Sequence, residues 1–156
     1  MSLIDLVTEL NEDVNNAAKG EKFITFFAGH YHCKTKVLQY INAGHNYPIL
    51  LNESKTRFLN KGCIGLGMLE KIPKIETEKI KLLKDTILVC YTDGLVELEN
   101  NNNVAFETAN LVKVIRKNFN QTMIELDHTI FKRLNEFKGD QEFLDDTAVM
   151  SCKFYA

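Results

Sequence analysis

The chain has 156 residues and a formal net charge of −2, with 45% hydrophobic and 26% charged residues. This is the length of one globular domain, and the composition excludes a chain that is disordered over most of its length, so one domain is expected over residues 1–156. Neither a basic cluster nor an acidic tail stands out in the sequence, which argues against a nucleic-acid partner.

The N-terminal half is predicted to form one helix and two hairpins. Apolar residues recur at helical spacing between residues 3 and 18, with Ser2 as a candidate N-cap and Gly20 as a candidate stop. Strand-like segments and short polar linkers then predict hairpins from 22–32 with 36–42 and from 47–51 with 56–59.

The C-terminal half is predicted to contain three strands and two helices. The strands at 75–80 and 86–91 are expected to pair through the turn at Lys84–Asp85. Apolar spacing then predicts helices over 111–119 and from Thr122 to Phe137, the second with a capping box to Glu125, before a last strand at 147–154. A run of strands followed by helices indicates an α+β architecture with a mainly antiparallel sheet.

The compartment is predicted from the cysteines and from the apolar segments. The four cysteines are far apart and form no C-x-x-C pair, so they are expected to be reduced thiols. No apolar stretch approaches the roughly 20 residues that span a bilayer, and no signal-type N-terminus is present. A cytoplasmic protein without a membrane partner is the expectation.

Three acids flank two of the predicted strands. Asp93 follows the apolar strand at 86–91, and Asp145 and Asp146 directly precede the last strand. Pairing of these strands brings the acids to one sheet end, where carboxylates suit hard cations such as Mg²⁺ or Mn²⁺. The alternative is that these aspartates only terminate strands and cap turns.

Two other motifs have weaker chemical interpretations. His30 and His32 lie on the same strand face, with His45 as a third candidate, and such histidines bind zinc when further ligands complete the site. The alternative is a solvated hairpin end. The glycines at 62, 65 and 67 are followed by no Gly-Lys-Ser/Thr, so they indicate backbone bends rather than a phosphate loop. No serine or cysteine lies in a nucleophile motif.

Four motifs together resemble those of a known enzyme family. They are "YINAGHNYPILL" (40–51), "KGCIGLGM" (61–68), "LLKDTILVCYTDGLVELEN" (82–100) and "DDTAVM" (145–150). In this order they resemble the SpoIIE/RsbU-type serine/threonine phosphatases of the PPM, or protein phosphatase 2C, superfamily. The resemblance implies a partial PPM-type α-β-β-α sandwich with a mainly antiparallel sheet.

The resemblance also implies a metal site and a substrate class. Asp93 and Asp145 match metal ligands, Gly94 matches the glycine that lets the backbone turn beside the site, and Asp146 is a further ligand or a support for its neighbour. The family's centre holds two Mn²⁺ or Mg²⁺ ions, which activate a water for in-line attack on a phosphoserine or phosphothreonine protein. In this family the substrate is typically an anti-sigma-factor antagonist.

One departure from the family pattern limits this expectation. The family's centre also takes acids from a G-D-x-x-D-like strand and a D-x-G-H-G-like turn, and nothing before residue 40 resembles either. The chain is therefore expected to be an N-terminally incomplete domain that retains metal weakly and does not catalyse the reaction alone. The alternative is an inactive partner-binding or regulatory module. A domain that lacks its N-terminal segment exposes sheet or helix surface which that segment would cover, and this exposed surface predicts homo-oligomers.

Overall fold

A computed structural model describes residues 1–155 and divides them into two compact units. The first unit comprises Met1–Tyr47 and Leu59–Leu83, and the second comprises Pro48–Phe58 and Lys84–Tyr155. Each unit contains one four-stranded sheet. The expectation of a single domain over residues 1–156 stays a prediction.

The helices and strands follow the predicted order closely. In chain order they are α1 (Leu3–Ala18), β1 (Phe26–His32), β2 (Val37–Ala43), β3 (Ile49–Leu51), β4 (Thr56–Phe58), β5 (Gly62–Cys63), β6 (Glu78–Lys81), β7 (Thr86–Tyr91), α2 (Asp93–Val96), α3 (Glu107–Lys117), α4 (Met123–Lys138) and β8 (Val149–Phe154). All strand pairs are antiparallel except β2 with β5. The predicted α+β class with mainly antiparallel sheets is confirmed.

The sheet of the first unit is organised around β2. Strand β1 pairs with β2 as the predicted hairpin, while β5 and β6 pair with opposite ends of β2. The close parallel contact of β5 requires a glycine, because a Cβ on Gly62 would overlap the carbonyl of Asn42. Gly62 of the glycine-rich stretch thus permits a close backbone contact.

Helix α1 is fixed at its start and along its length. Ser2 and Asp5 form a capping box, in which the Ser2 Oγ accepts from the Asp5 backbone N at 3.1 Å and Asp5 accepts from the Ser2 N at 2.9 Å. Hydrogen bonds from Ser2 lower the pKa of Asp5. Further along, buried Asn11 donates to the carbonyls of Leu69 and Glu70 and accepts from the Gly67 N at 2.9 Å.

The second unit packs α3 and α4 against a sheet in the order β4-β3-β7-β8. Every residue of β7 is buried, because β3 and β8 cover both of its edges and α3 and α4 contribute to its core. The helix residues of this core recur at intervals of four, as expected for amphipathic helices. They are Leu111, Ile115, Leu126, Ile130 and Leu134.

Two features differ from the sequence-based expectation. The predicted pairing of the segments at 75–80 and 86–91 is wrong, because β6 pairs with β2 in the first sheet and β7 pairs with β3 and β8 in the second. The chain passes from one sheet to the other between them, where Asp85 adopts a left-handed conformation with φ 56°. The short helix α2 directly after β7 was not predicted.

Two further features concern the lengths of the helices and the exposure of the thiols. Within residues 1–155, no helix is long and apolar enough to cross a bilayer. All four cysteines are free, and they differ in exposure: Cys33 is exposed and Cys90 is buried. Burial, together with a smaller contribution from the nearby Cys152, raises the pKa of the Cys90 thiol to about 11.

Replacement of Asn11 by alanine is expected to destabilise the protein by about 1–3 kcal/mol, because it leaves the buried Gly67 N–H and the Glu70 carbonyl without their partner. Urea unfolding measures this loss. Asn16→Ala, at an exposed position of the same helix, is the matched control and is expected to change stability by less than about 0.5 kcal/mol. Equal stability of the two variants would contradict the role of Asn11.

Thiol labelling is expected to separate Cys33 from Cys90. With a pKa of about 11, only about 1 in 1,000 molecules carries the reactive Cys90 thiolate at pH 8. In the native protein at pH 8, a thiol reagent such as DTNB should modify Cys33 in the fast phase and Cys90 in the slowest. Cys90→Ser should remove that slow phase, and all four thiols should react together in denaturant. Fast native labelling of Cys90 would refute this assignment.

Candidate metal centre

The sequence Thr-Asp-Gly at residues 92–94 follows directly on β7 and begins α2. Thr92 is the N-cap, in extended conformation, and Asp93 is the first helical residue, with an exposed side chain. The Asp93 Oδ1 accepts a hydrogen bond from the Gly94 backbone N at 3.1 Å. This contact orients the carboxylate at the end of the strand and leaves Oδ2 for a ligand.

Gly94 lies directly against the backbone of the two late acids. A Cβ on Gly94 would come within 2.8 Å of the Asp146 carbonyl oxygen and 3.2 Å of the Asp145 Cβ. No real side chain tolerates the shorter of these separations, so only glycine permits the two segments to approach this closely. The structure therefore brings the segment that carries Asp93 onto the segment that carries Asp145 and Asp146.

Thr92 holds the same two segments together through hydrogen bonds. Its Oγ1 donates to the Asp146 carbonyl at 2.9 Å and accepts from the Ala148 N at 2.9 Å. Its backbone N donates to the Ala148 carbonyl at 3.1 Å, which extends the β7–β8 ladder by one position beyond the pair Tyr91 and Val149. Sequence reasoning missed Thr92, although its position between a buried strand and an acid is the signal that identifies it.

The late acids form a local turn. The Asp145 Oδ1 accepts from the Asp146 backbone N at 2.7 Å, and the Thr147 Oγ1 donates to the Asp145 carbonyl at 3.2 Å. The side chains of Asp145 and Asp146 are exposed. The turn interpretation and the ligand interpretation are thus compatible, because the Asp145 turn contact uses only one carboxylate oxygen.

A small acidic cavity adjoins this contact. It has a volume of about 210 Å³, and Gly94 and Asp145 both line it. Glu97, Glu99 and Glu142 line it as well, and sequence reasoning did not single them out. Carboxylates gathered around one cavity create a negative potential that attracts cations.

The carboxylates at this contact are the right type of ligand for a hard divalent cation, but there are few of them. Exposed carboxylates are the ligands that Mg²⁺ and Mn²⁺ prefer. Among residues 1–155, no group of three histidine, cysteine, aspartate or glutamate side chains is close enough to hold a metal ion. The described residues therefore fit part of a metal site, and the ligand roles of Asp93, Asp145 and Asp146 stay predictions.

The histidines of the first unit make local contacts. His30 and His32 are exposed, and the His32 Nδ1 accepts from the Thr35 backbone N at 3.2 Å within the hairpin turn. His45 lies 3.3 Å from the Thr25 hydroxyl through its Nδ1. Since no three-ligand group exists within the described part of the chain, the structure offers no support for the zinc alternative.

The motif Asn-Ala-Gly-His at residues 42–45 has a structural role in the first unit. The buried Asn42 side chain accepts from the His45 N at 2.8 Å and donates to the His45 and Leu59 carbonyls. Gly44 has a φ of 68°, and a Cβ there would lie 2.8 Å from the Gly65 N. These contacts hold the loop after β2 against the glycine-rich segment.

Solved structures share this fold at low sequence identity. The RsbU and RsbW domains of a Mycobacterium tuberculosis protein match with a TM-score of 0.79 and 19% identity, over 99% of this chain and 43% of that one. The SiaA-PP2C domain of Pseudomonas aeruginosa matches with a TM-score of 0.69 and 16% identity, over 78% of this chain and 48% of that one.

A third match is the phosphatase domain of the cell fate determinant SpoIIE from Bacillus subtilis, presoaked with Mn. Its TM-score is 0.63 and its identity 14%, over 96% of this chain and 62% of that one. The chain thus spans less than two thirds of each of these three solved chains. At these identities the similarity establishes the fold, which is that of PP2C-type phosphatase domains.

The sequence itself establishes the family. No curated protein matches the chain. The family model described as Stage II sporulation protein E (SpoIIE), however, matches residues 1–155, which is nearly the whole sequence. The resemblance of the four motifs is therefore confirmed, and the chain belongs to the SpoIIE family.

Proposed function

We propose that this chain contributes to the catalytic centre of a metal-dependent protein serine/threonine phosphatase. The observation that carries the proposal is the contact of Gly94 with the backbone of Asp145 and Asp146, which brings the family's two late acidic motifs together. In this proposal Asp93 and Asp145 bind Mn²⁺ or Mg²⁺, and Gly94 permits their close approach. Asp146 is a further ligand or supports Asp145 through the turn.

The chemistry assigned to each group follows from this arrangement. Bound Mg²⁺ or Mn²⁺ supplies a water of lowered pKa and stabilises the negative charge that develops on a transferring phosphoryl group. The chain itself orients the ligands: Gly94 donates to Asp93, the Asp146 N donates to Asp145, and Thr92 ties the two segments together. The acidic cavity concentrates cations beside them.

The substrate proposed is a regulatory protein phosphorylated on serine or threonine. The support is membership of the SpoIIE family, since the resemblance described above implies an anti-sigma-factor antagonist as the typical substrate. The four free thiols support a reducing, cytoplasmic setting for this reaction.

A second candidate function is a phosphatase-like module that binds a partner without catalysis. The observation that favours it is that residues 1–155 hold no group of three metal-binding side chains. A divalent ion held by two carboxylates keeps most of its coordinated water and dissociates readily. This candidate predicts no hydrolysis in any context, whereas the phosphatase proposal predicts hydrolysis once the remaining ligands are present.

Titration with Mn²⁺ tests the ligand assignment. The chain is expected to bind Mn²⁺ weakly, with a dissociation constant on the order of 1 mM, which is the weak end for dedicated divalent sites. Asp93→Asn and Asp145→Asn should each weaken binding at least tenfold, measured by Mn²⁺ electron paramagnetic resonance. Asp140→Asn, at an exposed position in the preceding loop, is the matched control and should bind like the wild type. Equal binding by all four proteins would contradict the assignment.

A phosphatase assay separates the two candidate functions. The substrates are p-nitrophenyl phosphate and a phosphoserine peptide in the presence of Mn²⁺, and the proteins are the 156-residue chain and the full product of its gene. The phosphatase proposal predicts that Asp93→Asn lowers turnover by the full product at least 100-fold, since ligand loss removes the metal's contribution. The chain alone is expected to be inactive. Absence of turnover in the full product would favour the partner-binding module.

A further inference from the structure

A groove between α3 and α4 lies apart from the candidate metal centre within the second unit. It has a volume of about 600 Å³, within the range of pockets that hold ligands. Its apolar part is formed by Val114 and Phe137, which are half-buried, and by Phe106, which is buried. The rings of Phe106 and Phe137 meet edge to face with centroids 5.1 Å apart, so this part of the groove is well packed.

The sides of the groove carry four cations and one carboxylate. The cations are Lys113 and Lys117 on α3 and Lys132 and Arg133 on α4, and the carboxylate is Glu136. The groove therefore has an excess of three positive charges on a chain whose net charge is −2. Such a local excess marks a surface that attracts anionic ligands.

Within residues 1–155, a carboxylate neutralises only one of these cations. Arg133 pairs with Glu136 at 3.1 Å, and the Lys113 Nζ donates to the Asn110 side chain at 3.4 Å. Lys117 and Lys132 are exposed and have no carboxylate partner among residues 1–155. Lys117 lies in the last turn of α3, where a cation stabilises the helix, and this role accounts for a lysine at that position. This explanation does not extend to Lys132 and Arg133, which lie in the middle of α4.

The position of the groove on α4 leaves the candidate metal centre uncovered. Lys132, Arg133 and Glu136 line the groove, whereas Phe131 and Asn135 line a separate cavity that includes Asp145 and Asp146. At 100° per residue, these two sets of positions lie on different faces of one helix. A ligand in the groove therefore leaves the acids accessible.

We propose that the groove between α3 and α4 binds an acidic segment of a partner protein. One apolar side chain of that segment packs on Val114 and Phe137, and flanking aspartate or glutamate side chains pair with Lys113, Lys117 and Lys132. The apolar part selects a peptide over a free phosphate, which has nothing to place there.

A labelled peptide tests this proposal by fluorescence anisotropy. The probe is a fluorescein-labelled heptapeptide with three acidic residues on each side of one phenylalanine, at low ionic strength. The double variant K117E/K132E is expected to weaken binding at least tenfold, and raising the salt from about 50 to 300 mM should weaken wild-type binding several-fold because exposed charges are screened. K79E/K81E changes two exposed lysines of β6 by the same charge and should bind like the wild type.

Three outcomes would overturn the proposal. Equal weakening by K79E/K81E would show that net charge alone attracts the peptide. Equal binding of a peptide with glycine in place of phenylalanine would show that the apolar part is not used. Equal competition by an oligonucleotide of the same charge would show a general polyanion surface. Circular dichroism verifies that each variant is folded. If K117E/K132E unfolds, the charge-neutral variant K117Q/K132Q takes its place and is also expected to bind the peptide more weakly than the wild type.

Discussion

The contact on which the candidate site depends is the close approach of two backbone segments at one end of the second sheet. Strand β7 ends at Tyr91 opposite Val149 of β8, and Thr92 continues the ladder to Ala148. Gly94 then lies against the Asp145–Asp146 backbone at a separation that excludes a Cβ. Everything proposed for the acids follows from this contact, because it makes neighbours of the segments that carry Asp93 and Asp145, which are 52 positions apart in the sequence.

The motifs shared with the SpoIIE family divide into two kinds of role. In the first unit, Asn42 and Gly44 support the backbone of a loop, and Gly62 permits a parallel strand contact. In the second unit, Thr-Asp-Gly and Asp-Asp present exposed carboxylates. A family motif is thus not by itself evidence of a catalytic or ligand-binding role. A motif whose polar groups hydrogen-bond within the protein supports the fold, whereas one with exposed carboxylates can bind a ligand.

Local patterns in the sequence predicted most of the elements. The N-cap at Ser2, the capping box of Thr122 and the apolar spacing of α1 and α4 are short-range signals that tertiary packing does not override. The partner of β6 was not predictable in this way, because strand pairing is decided by long-range packing and the turn at Asp85 resembles that of a hairpin. The basic groove was missed for a similar reason: its cations are spread over α3 and α4, and only helix packing gathers them.

The contact at Gly94 is tested most directly by Gly94→Ala, assayed for Mn²⁺ binding and urea stability together. A methyl group there would lie 2.8 Å from the Asp146 oxygen, so the segment must shift. The expected result is at least tenfold weaker Mn²⁺ binding with a loss of about 1–3 kcal/mol in stability. Gly29→Ala is the control, since its Cβ meets its nearest neighbour at an ordinary 3.4 Å. A stable Gly94→Ala protein that binds Mn²⁺ like the wild type would contradict the proposed centre.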